Sequence, residues 1–224
     1  GWDLVKNPAV HKIGVPTISG TGSEATRTCV MTNKATGLKL GMNSDFTVFN
    51  HLVLDPDLTA TVPRDQYFFT GMDAYIHCIE ALAGSYRNAV GDAYSHETIN
   101  LCQKVFLGDD MMSDQSREDL MVASYLGGSA IATSYVGVVH PFSAGLSVVL
   151  GIHHCVGNCI ALAALSEFYP KEHEEFEAWD RDHPIVKLLA LPNLLDTGYD
   201  LWAWTTLFFL LTGESHWWVM RNQF

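Results

Sequence analysis

Over residues 12–62, short apolar runs alternate with turn-forming residues, and from Pro63 onward apolar positions recur at helical spacing. Four β-favouring segments, "KIGVPTI" (12–18), "TRTCVMTN" (26–33), "LKLGM" (38–42) and "FNHLVLDP" (49–56), are separated by Gly, Asn and Asp. Such runs between such residues predict strands. "PRDQYFFTGMDAYIHCIEALAG" then opens with proline, follows with acids and stops at Gly84, the signals of a helix. Helical recurrence continues in "GDAYSHETINLCQKVFLG" (91–108), "SREDLMVASYLGGSAIATSYVGVVH" (116–140) and "NCIALAALSEFYP" (158–170). The pattern predicts sheet and loops to residue 62 and helices over 63–183. Residues 184–224 carry four of the six tryptophans and few cap signals, and form an atypical tail to which no function is assigned.

Two polar residues interrupt the apolar stretch "GMDAYIHCIEA". Asp73 and His77 are four residues apart, so on a helix they share one face with Cβ atoms ~6 Å apart, within reach of a single ion. Of the ten histidines, His11, His51, His96, His173, His183 and His216 sit among polar or variable neighbours and are expected to be solvated. His140, His153 and His154 lie in the apolar, Gly-containing "GVVHPFSAGLSVVLGIHHCVGN". His140 and His154 are fourteen residues apart, which on one straight helix is ~21 Å. Sharing an ion therefore requires the chain to turn back, and Pro141, Gly145 and Gly151 are the expected breakers, letting one histidine end a helix and the other start the next. Asp73, His77, His140 and one of His153 or His154 then surround a divalent cation. Three imidazoles and a carboxylate suit Fe(II), Zn(II), Co(II) or Ni(II) and are too nitrogen-rich for Ca or Mg. The alternative for each histidine is a core side chain bonded to backbone.

"PTISGTGSEATRT" (16–28) packs glycines and hydroxyl residues after an apolar segment. It offers N–H groups and the hydroxyls of Thr17, Ser19, Thr21 and Ser23 to an anion, or else forms a plain turn. Gly20 and Gly22 are followed by Glu24 and Ala25, so this is not the dinucleotide fingerprint G-x-G-x-x-G. Lys39 is either a cation for a ribose or phosphate or a solvated lysine.

Composition narrows the partners. The 224 residues are 48% hydrophobic and 17% charged, enough for one domain or two small ones. With 13 basic against 25 acidic residues, a formal charge of −12 argues against a broad grip on nucleic acid or anionic membrane and leaves small molecules. The longest apolar run, 201–211, is shorter than the ~20 residues that cross a bilayer, so no membrane insertion is expected. Five cysteines without a CxxC pair, and no secretory leader, predict free thiols in a reducing cytoplasm. A start at Gly1 that runs straight into a strand-like segment suggests a fragment.

Taken together, "PTISGTGSEAT", "LDPDLTATVP", "GMDAYIHCIEA" and "VVHPFSAGLSVVLGIHHCVGN" resemble the iron-containing, or group III, alcohol dehydrogenase family over about residues 5–170. The resemblance implies Asp73, His77, His140 and His154 as metal ligands, His154 rather than His153, with His140 and His154 thereby at the catalytic centre. It implies a loop of Thr17, Ser19, Gly20, Thr21 and Ser23 along NAD(P), and Lys39 near the ribose. The implied fold is an α/β remnant followed by a mostly α-helical metal-binding domain, in a dehydroquinate synthase-like architecture whose amino-terminal dinucleotide-binding half is incomplete. Residues 1–62 would end the nucleotide-binding domain, 63–183 form the helical domain and 184–224 the tail. Cofactors would be Fe(II) or Zn(II) and NAD(P), and a homodimer is left open.

Within the family, "TRTCVMTNKATGLKLGMNSD" and "ALAGSYRNAVGDAYSHE" look most like the 3-deoxy-D-manno-octulosonate 8-oxidases, which oxidise the C8 alcohol of a lipopolysaccharide sugar acid to an aldehyde. Arg64 and Arg87 are then candidate cations for the substrate carboxylate. Three features depart from the family pattern: the "GGGS" segment is absent, Ala144 stands where many members carry a histidine, and His153-His154-Cys155 replaces "PHG". The rivals are an alcohol or diol dehydrogenase of the same family and a non-catalytic metal-binding fragment.

Overall fold

The computed structural model describes residues 10–37 and 39–163. The chain divides into two units, Gly1–Cys159 and Ile160–Phe224, and Asp73, His77, His140 and His154 all lie in the first. The expectations for 164–183 and for the tail over 184–224 lie outside the described residues.

All four expected strands form: β1 Ile13–Gly14, β2 Thr28–Thr32 and β4 His51–Leu52 are shorter than predicted, and β3 Lys39–Asn43 has the predicted length one residue further on. β1 pairs in parallel with β4, and β2 with β3 as an antiparallel hairpin in the register Thr28↔Asn43 to Thr32↔Lys39. β1 ends before Pro16, which has no N–H to give a ladder. Asp55 caps the 3-10 turn Pro56–Thr59 by accepting from the Asp57 N–H, and this turn leads into the helices.

The helices are α1 Arg64–Ala83, α2 Ala89–Phe106, α3 Asp114–Thr133, α4 Val139–Leu150 and α5 His154–Ala163. α1 runs from Pro63 to the stop at Gly84, as its signals predict. The continuous helix expected over 116–140 is instead broken at 134–138. His140 therefore does not end a helix; it is the second residue of α4. Pro141 sits in the first turn of α4, where a missing N–H costs nothing. Gly145 lies inside the helix, and the turn falls at Gly151, whose φ of 69° is left-handed.

α1, α2 and α3 pack on one another, with Tyr67, Met72, Tyr75, Ile76, Val105 and Leu120 fully buried among them. The glycine loop lies across this bundle. Gly20 (φ 131°) approaches α1 so closely that a Cβ would stand 1.7 Å from the Thr70 carbonyl oxygen; at Gly22 (φ 60°) it would stand 2.5 Å from Gly128 Cα of α3. Both positions need a residue that tolerates positive φ and has no side chain. Ser124 of α3 fastens the loop, accepting the Gly22 N–H at 3.4 Å and donating to Glu24 Oε1 at 2.7 Å.

Glu24 is buried, and its Oε2 has no partner among the described residues. Burial raises its pKa, only partly offset by hydrogen bonds from its own backbone and from Ser124. A folded-state pKa above the ordinary 4.5 means that Glu24's contribution to stability is present below that pH and is lost as pH rises through the raised value. Urea unfolding between pH 4 and 8 should show this loss in the wild type and its absence in Glu24→Gln; parallel pH profiles would contradict it. Gly22→Ala should lower stability by about 1–3 kcal/mol in the same assay, from strain and overpacking.

Candidate metal centre

α1 is buried on nearly every face from Tyr67 to Leu82, so its polar side chains must find partners inside the protein. Asp73, His77 and Glu80, at i, i+4 and i+7, share one face and are 2%, 4% and 0% exposed. α4 and α5 supply what they need.

His140 turns Nε2 toward Asp73 Oδ1 at 3.4 Å and Nδ1 onto Glu80 Oε2. Glu80 Oε1 accepts the backbone N–H groups of Val139 at 2.6 Å and His140 at 3.4 Å. These are first-turn donors of α4, which has no side-chain cap of its own, so a residue of α1 caps it. On α5, His154 is held by Ser143 of α4. Ser143 Oγ donates its one hydrogen to the His154 carbonyl at 2.7 Å and so accepts from His154 Nδ1 at 2.8 Å. The lone pair of His154 is thereby on Nε2. Asn158, one turn further, donates from Nδ2 to Asp73 Oδ1 at 2.5 Å, with Nδ2 3.3 Å from both His140 Nε2 and His154 Nε2.

Asp73, His140 and His154 each offer one ligand atom within 4.8 Å of the others. Bonds of ~2.1 Å to one transition-metal ion set ligand atoms up to ~4.2 Å apart, so this donor set fits such an ion after a small contraction. His77 stands beside the triad. Its Nε2 is 3.9 Å from Asp73 Oδ1, and its ring stacks on His140 at 4.7 Å and 17°. His153 is exposed and accepts the Cys155 N–H, at the start of α5.

The electrostatics follow from burial and neighbours. Burial opposes ionisation of Asp73, but the three histidines, His77 foremost, outweigh it and hold the carboxyl well below its usual range. Burial lowers His77 and His154 to about 4 each despite Asp73, which keeps them neutral at pH 7. Burial also acts on His140, but there its bonds to Asp73 and Glu80 prevail and raise it to about 9. An ion bound at His140 Nε2 would have to displace a proton from that ring.

The residues expected along a nucleotide are spread over the glycine loop. Thr17 and Ser23 are exposed, Thr21 is half-buried and bonded to Ser23, and Ser19 and Gly20 are buried, with Ser19 Oγ unpartnered among the described residues. Gly20 meets α1 at Thr70, one turn before Asp73. Lys39 on β3 adds positive potential at His154. Arg64 and Arg87 are engaged by carboxylates, Arg64 with Asp65 at 3.7 Å and Arg87 with Asp92 at 2.9 Å.

Sequence reasoning did not single out Glu80, Ser143 and Asn158. Each had a positional signal: Glu80 is seven residues after Asp73 in the same apolar helix, Ser143 three after His140, and Asn158 four after His154.

Two family models match the chain: "Fe-containing alcohol dehydrogenase family, C-terminal" over residues 68–190 and "Iron-containing alcohol dehydrogenase" over residues 1–56. The 1,3-propanediol dehydrogenase of Klebsiella pneumoniae is 33% identical over 75% of this chain and 44% of its own. Alcohol dehydrogenase 4 of Schizosaccharomyces pombe is 29% identical over 88% of this chain and 52% of its own. The chain thus spans about half the length of the curated relatives it matches. Among solved structures, sulfoacetaldehyde reductase from Bifidobacterium kashiwanohense, in complex with NAD+, superposes with a TM-score of 0.70 at 26% identity. The match covers 78% of this chain and 47% of that one. A 1,3-propanediol oxidoreductase gives 0.70 at 27%, covering 91% and 52%. Two models together spanning most of its residues, and a shared fold with these enzymes, make the chain a member of the iron-containing alcohol dehydrogenase family.

Proposed function

We propose that this chain is the ion-binding part of a metal-dependent alcohol oxidoreductase that transfers hydride from a primary hydroxyl to a nicotinamide cofactor. The observation that carries this is the convergence of Asp73 Oδ1, His140 Nε2 and His154 on the buried polar face of α1, with ligand atoms within 4.8 Å of one another. A bound Fe(II) or Zn(II) would supply Lewis acidity toward the substrate hydroxyl, and a bound NAD(P) would supply the hydride acceptor. Everything else falls to the chain. Asp73 offsets part of an ion's charge and so tempers its acidity. Glu80 and Ser143 hold Nδ1 of His140 and His154, directing each Nε2 inward, the usual outer support of ligating histidines. His77, stacked on His140, is the fourth ligand in this proposal. The hydroxyls of Thr17, Thr21 and Ser23, with Ser19 and the Gly20 backbone, line the path of a nucleotide, and Lys39 faces its ribose.

The division of labour we infer is 1–62 for the end of a nucleotide-binding domain, 63–183 for the helical domain and 184–224 for the tail, in a dehydroquinate synthase-like architecture. Its support is that the two family models part between residues 56 and 68. Four buried free thiols, Cys78, Cys102, Cys155 and Cys159, favour a reducing cytoplasm.

The substrate we infer is 3-deoxy-D-manno-octulosonate, oxidised at C8 to the aldehyde, on the strength of the segments at 26–45 and 81–97. A second reading, a simple alcohol or diol, is favoured by the similarity to a 1,3-propanediol dehydrogenase and by the ion pairs that already engage Arg64 and Arg87. NADH formation with each compound in turn separates the two: faster turnover of the octulosonate supports the first, and faster turnover of 1,3-propanediol the second.

Two further outcomes are expected. Asp73→Ala and His154→Ala should each lose bound metal by elemental analysis, while undiminished content would refute the site. Glu80→Gln should weaken metal binding by about 10–100-fold, as removal of an outer support does, and should also lower the melting temperature of the metal-stripped chain, because α4 loses part of its cap.

A further inference from the structure

Asn158 is fully buried, and Nδ2 of its amide faces Asp73 and the two imidazoles, while Oδ1 has no partner among the described residues. The orientation of the amide is fixed by chemistry. With nitrogen and oxygen exchanged, two acceptor oxygens would meet at 2.5 Å, so the N–H groups must point at Asp73. One amide hydrogen goes to Asp73 Oδ1, and the other faces His154 Nε2 at 3.3 Å.

His154 Nε2 has one lone pair, because Ser143 fixes the ring hydrogen on Nδ1. That lone pair cannot accept from Asn158 and bind an ion at once. Asp73 Oδ1 keeps a second lone pair, but an N–H aimed at it from within the site would also be aimed at a cation bound there. We propose that Asn158 is a displaceable placeholder: it holds Asp73 and His154 in register before an ion arrives, and its amide gives way when the ion takes their lone pairs. This rests on the metal-site proposal above. Asn158 is therefore a positioning residue that sets ion affinity from within the site. The same amide is a reason that the buried Asp73 carboxylate tolerates being without an ion, since an unpaired buried charge is strongly destabilising.

The test uses the 224-residue chain stripped of metal and titrated with Co(II), followed by its visible absorption and by calorimetry. Asn158→Ala should bind Co(II) about tenfold tighter than wild type, the scale of a hydrogen bond to a charged group no longer broken on binding. Its metal-stripped form should melt lower than wild type, and its gain in melting temperature on adding Co(II) should be larger. Equal affinity would overturn the proposal, and weaker affinity would overturn it by making Oδ1 a ligand. If wild type and variant are both folded and neither binds Co(II), the metal site itself falls and the placeholder with it. Should Asn158→Ala not fold, the wild type decides through the side-chain ¹⁵N–¹H signal of Asn158, assigned by its loss in Asn158→Ser. That signal should move on titration with Zn(II); a signal unmoved while Zn(II) binds overturns the proposal.

Discussion

The constraint on which the rest depends is that α1 is buried on almost all sides yet carries two carboxyl groups and an imidazole on one face. A buried polar group without a partner costs several kcal/mol in apolar surroundings, and a lone charge costs more. Asp73, His77 and Glu80 therefore oblige the chain to return donors to the same face. α4 meets Glu80 with its first-turn N–H groups and the His140 ring, and α5 meets Asp73 with the Asn158 amide. The architecture of the helices and the chemistry of the proposed site are one solution to that requirement.

The glycine loop obeys a second constraint on the same bundle. Its two positive-φ glycines let backbone approach α1 at Thr70 and α3 at Gly128 without a side chain between them. The loop is thus seated one helical turn from Asp73, so a nucleotide lying along it would reach the buried polar face of α1. Burial shifts His77 and His154 down, while the histidines hold Asp73 ionised against the opposing effect of burial, so that face presents a carboxylate beside two neutral imidazoles.

Much of this was legible in the sequence. The caps and stops of α1 and its i, i+4 pair fixed both the helix and the shared face of Asp73 and His77, since helical geometry alone determines them. The return of the chain between His140 and His154 was also readable from distance along a helix. Where it turns was not: Pro141 looks like a breaker, but in a first turn it is harmless, and the break before it at 134–138 carries a single glycine, Gly137, inside a run whose helical spacing continues on both sides. Glu80, Ser143 and Asn158 escaped notice because a capping carboxyl or a supporting hydroxyl is defined by the partner it meets across helices, which spacing within one helix does not reveal. Choosing His154 over His153 required the family resemblance; in the fold, His153 is exposed and pairs with the Cys155 N–H.

In the proposed site, the buried face of α1 joins α4 and α5 around one divalent ion held by carboxylate and imidazole. X-ray absorption at the iron edge of the Fe(II)-loaded chain should then show a first shell of nitrogen and oxygen at about 2.1 Å with the outer-shell scattering of imidazole rings. A sulfur shell near 2.3 Å, placing Cys155 or Cys159 on the ion, or a shell of oxygen without imidazole, would contradict it.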